Sequence, residues 1–355
     1  MRLLAGSLWL GVLAGAVLLV ASSAPAQPPD DEGVQIVPNE AAHRVDILIA
    51  GRPFTSYIFP DTIKKPVLFP LRTARGTIIT RGFPPGPGER ADHPHHVGLW
   101  FNYSDVNGFD FWNNSDAIKP EQRLKMGTIF QRRIVNRVPG DNVGSLMTQM
   151  DWVAANGTGA TLIQQDAWYT FRGGADFRIV DFFTTLTAQD DPVVFHDNKD
   201  GLLGLRVRRE LELPTAQGGL YTDSNGVVTK VDKMDNTGVN GNYITSEGKT
   251  GEAAWGTRGR WCALEGKVGD EPVTIVIFDY PKNPGFPTYW HARDYGLFAA
   301  NPFGVKDFTN GKEQMNFTLP PHQNVTFHYR ILILSKIATA DEIEREYQRF
   351  VAAYP

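Results

Sequence analysis

The stretches Phe177-Arg178-Ile179-Val180-Asp181-Phe182-Phe183-Thr184-Thr185-Leu186-Thr187 and Thr326-Phe327-His328-Tyr329-Arg330-Ile331-Leu332-Ile333-Leu334 decide the fold class. Both alternate with a period of two, which sends successive side chains to opposite faces of a strand and buries one face at ~25 cal/mol per Å² of apolar area. Similar runs, bounded by Gly, Pro, Asn and Asp clusters, recur at Val45 to Ala50, Pro53 to Phe59, Gly127 to Val138, Ser145 to Val153, Gly159 to Phe171 and Val193 to His196. Later examples are Leu202 to Leu213, Arg260 to Val268, Pro272 to Phe278 and Glu313 to Leu319. The pattern predicts an all-β chain folded as a large antiparallel β-sandwich. One short C-terminal helix is expected. Thr339-Ala340-Asp341-Glu342 makes a capping box, and Ile343, Tyr347 and Phe350 fall on one face, which suits packing over a sheet edge or end. Gly82 to Gly88 and Gly218 to Gly259 read as turn-rich loops.

The N-terminal stretch carries an expectation about the compartment. Positions 1–26 read as a secretory signal: Arg2 opens it, an apolar run follows from Leu3 to Val20, and Ala24-Pro25-Ala26 forms a small-x-small cleavage site. Residues 27–33 read as a disordered leader and 34–355 as a single sandwich domain, placed in the periplasm or outside the cell. The lone cysteine, Cys262, cannot form an internal disulfide and reads as a small buried apolar residue. Of 355 residues, 35 are Lys or Arg and 39 Asp or Glu, with the signs scattered; a net charge of −4 argues against a nucleic-acid or anionic-membrane partner. A small-molecule ligand such as a carbohydrate fits better.

Chemistry-bearing residues concentrate in three segments. Asp92-His93-Pro94-His95-His96-Val97-Gly98-Leu99-Trp100-Phe101-Asn102-Tyr103, continuing to Asp110-Phe111-Trp112, holds three of the eight histidines and two of the eight tryptophans. Pro94 puts His93 and His95 on a loop leading into a strand that starts near His96. Alternation then places Val97, Leu99, Phe101 and Tyr103 on one face and His96, Gly98, Trp100 and Asn102 on the other. An indole beside an imidazole, an amide and a bare glycine that admits a ligand suits a sugar ring. Trp100 as ordinary core is the competing reading. The second segment, Val193-Val194-Phe195-His196-Asp197-Asn198-Lys199-Asp200-Gly201 followed by Leu202 to Arg206, ends a strand in a polar turn. In the third, Tyr289-Trp290-His291-Ala292-Arg293-Asp294-Tyr295-Gly296, a strand would project Tyr289, His291 and Arg293 together.

These motifs, His93 to Phe101 with Asp105 to Trp112, Lys199 to Arg206 and Trp290 to Phe303, resemble the secreted bacterial proteins called methane oxygenase PmoA-like, a family of unknown function. The similarity spans most of the mature chain, although the common form of the first motif has arginine where this chain has Val97. A genuine membrane methane monooxygenase subunit needs spanning helices of ~20 apolar residues, and no such run follows the signal, so the label gives no support to methane oxidation. The resemblance implies a galactose mutarotase-like supersandwich and a setting in bacterial sugar degradation.

Three functions follow as expectations. The first is a secreted carbohydrate-active enzyme (epimerase, lyase or hydrolase) in which His96 or His196 gives a proton and Asp110, Asp197 or His291 takes one. Trp100, Asn102, Tyr289, Lys199, Arg206 and Arg293 would hold the sugar. The second is a metal enzyme in which His93, His95 and His96 help bind a divalent ion, although no metal-specific spacing occurs. The third is a non-catalytic glycan-binding protein. No cofactor can be named from the sequence.

Overall fold

The alternating runs pair into two eight-stranded antiparallel sheets in a computed structural model that describes residues 33–354. The secretory signal read at 1–26 and the leader to residue 32 lie outside the described residues. Across the first sheet the order is Val34–Asn39, Arg44–Ile49, Arg52–Ile58, Val67–Leu68, Leu99–Tyr103, Gly201–Arg206, Leu297–Asn301 and Tyr289–Ala292. The second runs Asn242–Thr245, Trp261–Val268, Glu271–Asp279, Asn324–Leu334, Phe177–Ala188, Thr161–Gly173, Gly144–Val153 and Thr128–Val138. The all-β sandwich is therefore as the alternation requires. Among the described residues no helix is long and apolar enough to cross a membrane.

The period of two explains the packing. In the second sheet Val180, Phe182 and Leu186 point inward with Phe327, Tyr329, Ile331 and Ile333, where they meet Leu99, Phe101, Leu203, Leu205 and Phe298 of the first sheet in a shared core. The intervening side chains face outward. Leu332 and Leu334 join Trp261, Val276 and Phe278 beneath the C-terminal helix Ala340–Ala353, whose Ile343, Tyr347 and Phe350 are buried there. That helix covers the outer face of the second sheet rather than an edge or end. The Thr339–Glu342 capping box is formed in both directions. Cys262 is buried in the core, and burial pushes its thiol well above the ordinary range.

Two sequence boundaries move. Gly218 to Gly259 is not all loop: it holds the hairpin Gly219–Thr222 and Val228–Val231, and Asn242–Thr245 joins the second sheet as an edge strand. Within Glu313 to Leu319 only Phe317–Leu319 is strand. These pieces are short and lack the long alternation that announces the others.

Replacing Thr339 by alanine removes one side of the cap and should lower the unfolding free energy by about 1 kcal/mol. Denaturant titration of the variant checks this, and an unchanged midpoint would show that the helix is held by its apolar face alone.

Candidate functional site

The three motif segments form neighbouring strands of the first sheet. Trp100, Gly204, Ala299 and His291 stand in one cross-strand row over Leu99–Tyr103, Gly201–Arg206, Leu297–Asn301 and Tyr289–Ala292. The two small residues in that row make room above the sheet. A methyl on Gly204 would lie 2.5 Å from Trp100 Cζ2 and 2.9 Å from Trp112 Cη2, so both indoles rest over the glycine. Trp100 packs with Trp112, Leu297, Ala299 and Val97 in a second apolar cluster on this outer face.

The histidine turn sits on that aromatic floor. His96 donates its backbone N–H to the His93 carbonyl, and the strand begins only at Leu99. The His93 and His96 rings stack at 4.8 Å, His96 lies over Trp100 at 5.1 Å, and Tyr295 stacks with His93 at 4.9 Å and lies 6.5 Å from His96. Arg206, wholly buried, donates to Asp92 Oδ1 at 2.6 Å and to His96 Nδ1 at 3.2 Å. Arg81 donates to the same carboxylate at 3.0 Å and to the carbonyls of His93 and His96. His93 Nδ1 stands 3.3 Å from Asp92 Oδ1, a close contact without hydrogen-bond alignment. Burial would raise the Asp92 carboxyl, but His93, Arg206 and Arg81 outweigh it and hold it well below the usual carboxylate range.

A guanidinium only donates, so His96 Nδ1 accepts and the neutral ring carries its proton on Nε2. Burial, then the charges of His95 and Arg206, keep His96 neutral. His96 Nε2, His95 Nε2 and Trp100 Nε1 are buried with no partner among the described residues. Lys65 lies beneath, with Nζ donating to the His95 carbonyl at 2.8 Å and lying 5.4 Å over Trp100. Burial brings that amine down to about 7 against the pull of Asp110.

The other half of the site is built on His291. Its Nδ1 is 2.8 Å from the Lys199 carbonyl, which can only accept, so here the proton is on Nδ1 and the lone pair on Nε2. Burial drives His291 down to about 4, against the opposing pull of Asp200. Asp200 Oδ1 lies 4.0 Å from Nδ1, and its Oδ2 accepts from Lys199 Nζ at 3.1 Å. Tyr295 joins the halves: Arg206 lies 5.0 Å over its ring and Arg293 5.6 Å, and burial lifts its hydroxyl to about 12. Arg293 also lies 5.9 Å over Trp255, whose ring meets His291 edge-on. A pocket of about 220 Å³ opens at this end, lined by Gln217, Glu252, Trp255, Ala292, Arg293 and Asp294. A larger cavity of about 380 Å³, bounded by His43, Phe59 and Gln131, touches the cluster only through Ile63 and Lys65.

The structure thus joins His96, Arg206, Trp100, His291, Lys199 and Arg293. Other expected site residues hold the scaffold. Trp100 is 2% exposed, a floor under His96 rather than an open platform. Gly98 admits backbone, not ligand, because a side chain there would strike the Leu68 carbonyl at 2.1 Å and φ is +59°. Val97 packs with Trp100, not on the Leu99 and Phe101 face. Asn102 is buried and donates to the Phe111 carbonyl at 2.6 Å. Asp110 accepts from the backbone of Trp112 and Asn113, while Asp197 accepts from the backbone of Lys306 and Met315. Tyr289 stacks on Phe308 at 5.3 Å, and Phe308 in turn meets the His291 ring edge-on at 5.9 Å. His196 pairs with Asp105 at 2.8 Å in a partly exposed position, and no contact among the described residues ties it to His96 or His291. His93 and His96 stack and His95 meets both rings edge-on, and among the described residues no group of three histidine, cysteine or acidic side chains is arranged to hold a metal.

Sequence reasoning missed Asp92, Arg81, Lys65, Tyr295 and Trp255 as parts of the site. Asp92 and Tyr295 lie inside the motif segments. Trp255 carried no signal, lying in a stretch read as loop.

A two-sheet sandwich with a buried histidine and arginine network on one outer face is the class defined by these observations. Residues 44–348 match a family of unknown function, DUF6807, and the chain belongs to it. Among solved structures it is similar to a candidate aldose 1-epimerase from Escherichia coli K12, at 8% identity and TM-score 0.34, covering 84% of this chain and 98% of that one. A Synechocystis sp. PCC 6803 protein matches at 9% identity and TM-score 0.34, covering 90% and 100%. A galactose mutarotase related enzyme from Lactobacillus acidophilus matches at 9% identity and TM-score 0.30, covering 87% and 99%. No curated protein matches the chain.

The depressed His291 gives a pH signature. Between 6.5 and about 4 the unfolded chain binds the proton that folded His291 refuses, so stability should fall as pH drops through that window. Urea midpoints from pH 7 to pH 4 should show a shallower decline for His291→Asn than for the parent. Parallel curves would place the dependence on other groups.

Proposed function

We propose that the protein is an exported carbohydrate-active enzyme that performs acid–base chemistry on the face shared by His96, Tyr295 and His291. One observation carries the reading: two imidazoles on one sheet face have Nδ1 partners of opposite kind, the Arg206 guanidinium at His96 and the Lys199 carbonyl at His291, which puts an N–H at Nε2 of the first and a lone pair at Nε2 of the second. Proton transfer to and from a sugar needs a group that gives and a group that takes at the same pH. Charge alone would not produce that pairing. Arg206 imposes one tautomer and the Lys199 carbonyl imposes the other.

The surroundings fit a polyol. The His93 and Tyr295 rings form a partly exposed flat stack suited to the C–H face of a sugar, and the Tyr295 hydroxyl stays protonated as a donor. Trp255 offers a second wall, with Gln217, Glu252 and Asp294 as hydroxyl partners. The resemblance of the three motifs to the secreted PmoA-like proteins supports the same sugar-degradation setting, with export through the N-terminal signal.

The test is a screen of glycosides and 3-keto-glycosides for turnover. His291→Ala should cut turnover of the responding substrate by about 10²-fold or more while the sugar still binds. Tight binding with no turnover of any sugar would return the protein to a glycan-binding module.

A further inference from the structure

We propose that Arg293 receives a carboxylate of the substrate, which makes the ligand an acidic saccharide of the uronate class. The inference rests on the carbohydrate reading above and deepens it. The other two site arginines are committed within the protein: Arg81 and Arg206 share the Asp92 carboxylate and take His93 and His96 atoms besides. Arg293 is not. Among the described residues it makes no ion pair, and its guanidinium donates to no acceptor, while two rings, Trp255 and Tyr295, hold it at 5.9 and 5.6 Å.

Two rings flank the guanidinium, and its planar fork of donors matches the two oxygens of a carboxylate. The rings supply cation–π attraction but satisfy none of the N–H groups. Glu252 and Asp294 line the same pocket without pairing to Arg293, so they remain acceptors for neighbouring hydroxyls. The Arg293 charge reaches both His291 and the Tyr295 hydroxyl, lowering each. A carboxylate held by Arg293 therefore lies within the field of the imidazole that takes the proton. One acidic sugar would fill both roles.

Isothermal titration with oligogalacturonate, oligoglucuronate and oligomannuronate, each beside its carboxyl-reduced form, tests this. The parent protein should bind one acidic oligosaccharide at least about tenfold more tightly than its reduced form, the scale of a charge-assisted bidentate contact. Arg293→Gln should abolish that preference, bringing the acidic sugar down to the affinity of its reduced form, while Arg293→Lys, which keeps the charge and loses the fork, should restore part of it. Circular dichroism confirms folding of both variants. Equal binding of acidic and reduced sugars by the parent, or a preference that survives Arg293→Gln, overturns the carboxylate assignment and leaves the carbohydrate reading standing. If no saccharide of either kind binds, the uronate assignment falls, and the glycoside and 3-keto-glycoside screen decides the carbohydrate reading by itself.

Discussion

A fully buried guanidinium is what the site is built around. Arg206 ends a central strand of the first sheet with no exposure to solvent, a position tolerable for a charge only beside a carboxylate and acceptors. Asp92 supplies the charge and His96 Nδ1 the acceptor, and with them the sheet reaches out to hold the histidine turn. Removing one member of a buried pair typically costs about 3–5 kcal/mol because the other charge is left behind; Asp92 keeps some solvent contact, which reduces the figure here. Arg81 adds a second cation and four carbonyl contacts, to Arg90, Asp92, His93 and His96, so the turn is tied at several points.

Small residues make the rest possible. Gly204 and Ala299 leave space on the sheet for the Trp100 and Trp112 rings, and the histidines stand on those rings instead of sinking to the backbone. Burial then keeps His96 and His291 neutral, and their Nδ1 partners set which nitrogen holds the proton. Packing and hydrogen bonding give this face its chemical polarity.

Most of the architecture was legible because it is local. Alternation in 177–187 and 326–334 assigns the inward faces directly, and the Thr339–Glu342 box marks the helix start. The helix's resting place on a sheet face was not legible, since it depends on which outward residues of distant strands are apolar. Residue density also pointed to three motifs, and strand pairing brings those motifs side by side. Individual roles were harder to read. Asn102, Asp110 and Asp197 are the residue types that serve catalysis, yet each accepts or donates to nearby backbone, a use that composition cannot distinguish. His196 lies only three residues before Lys199 but pairs with Asp105. Trp255 reaches Arg293 through a fold contact alone.

The opposed tautomers are the core of the functional account, and imidazole ¹⁵N NMR of the histidines near pH 7, assigned through His96 and His291 substitutions, measures them directly. The account predicts two neutral rings, His96 protonated at Nε2 and His291 at Nδ1. A protonated His291, or the same tautomer at both positions, would contradict it.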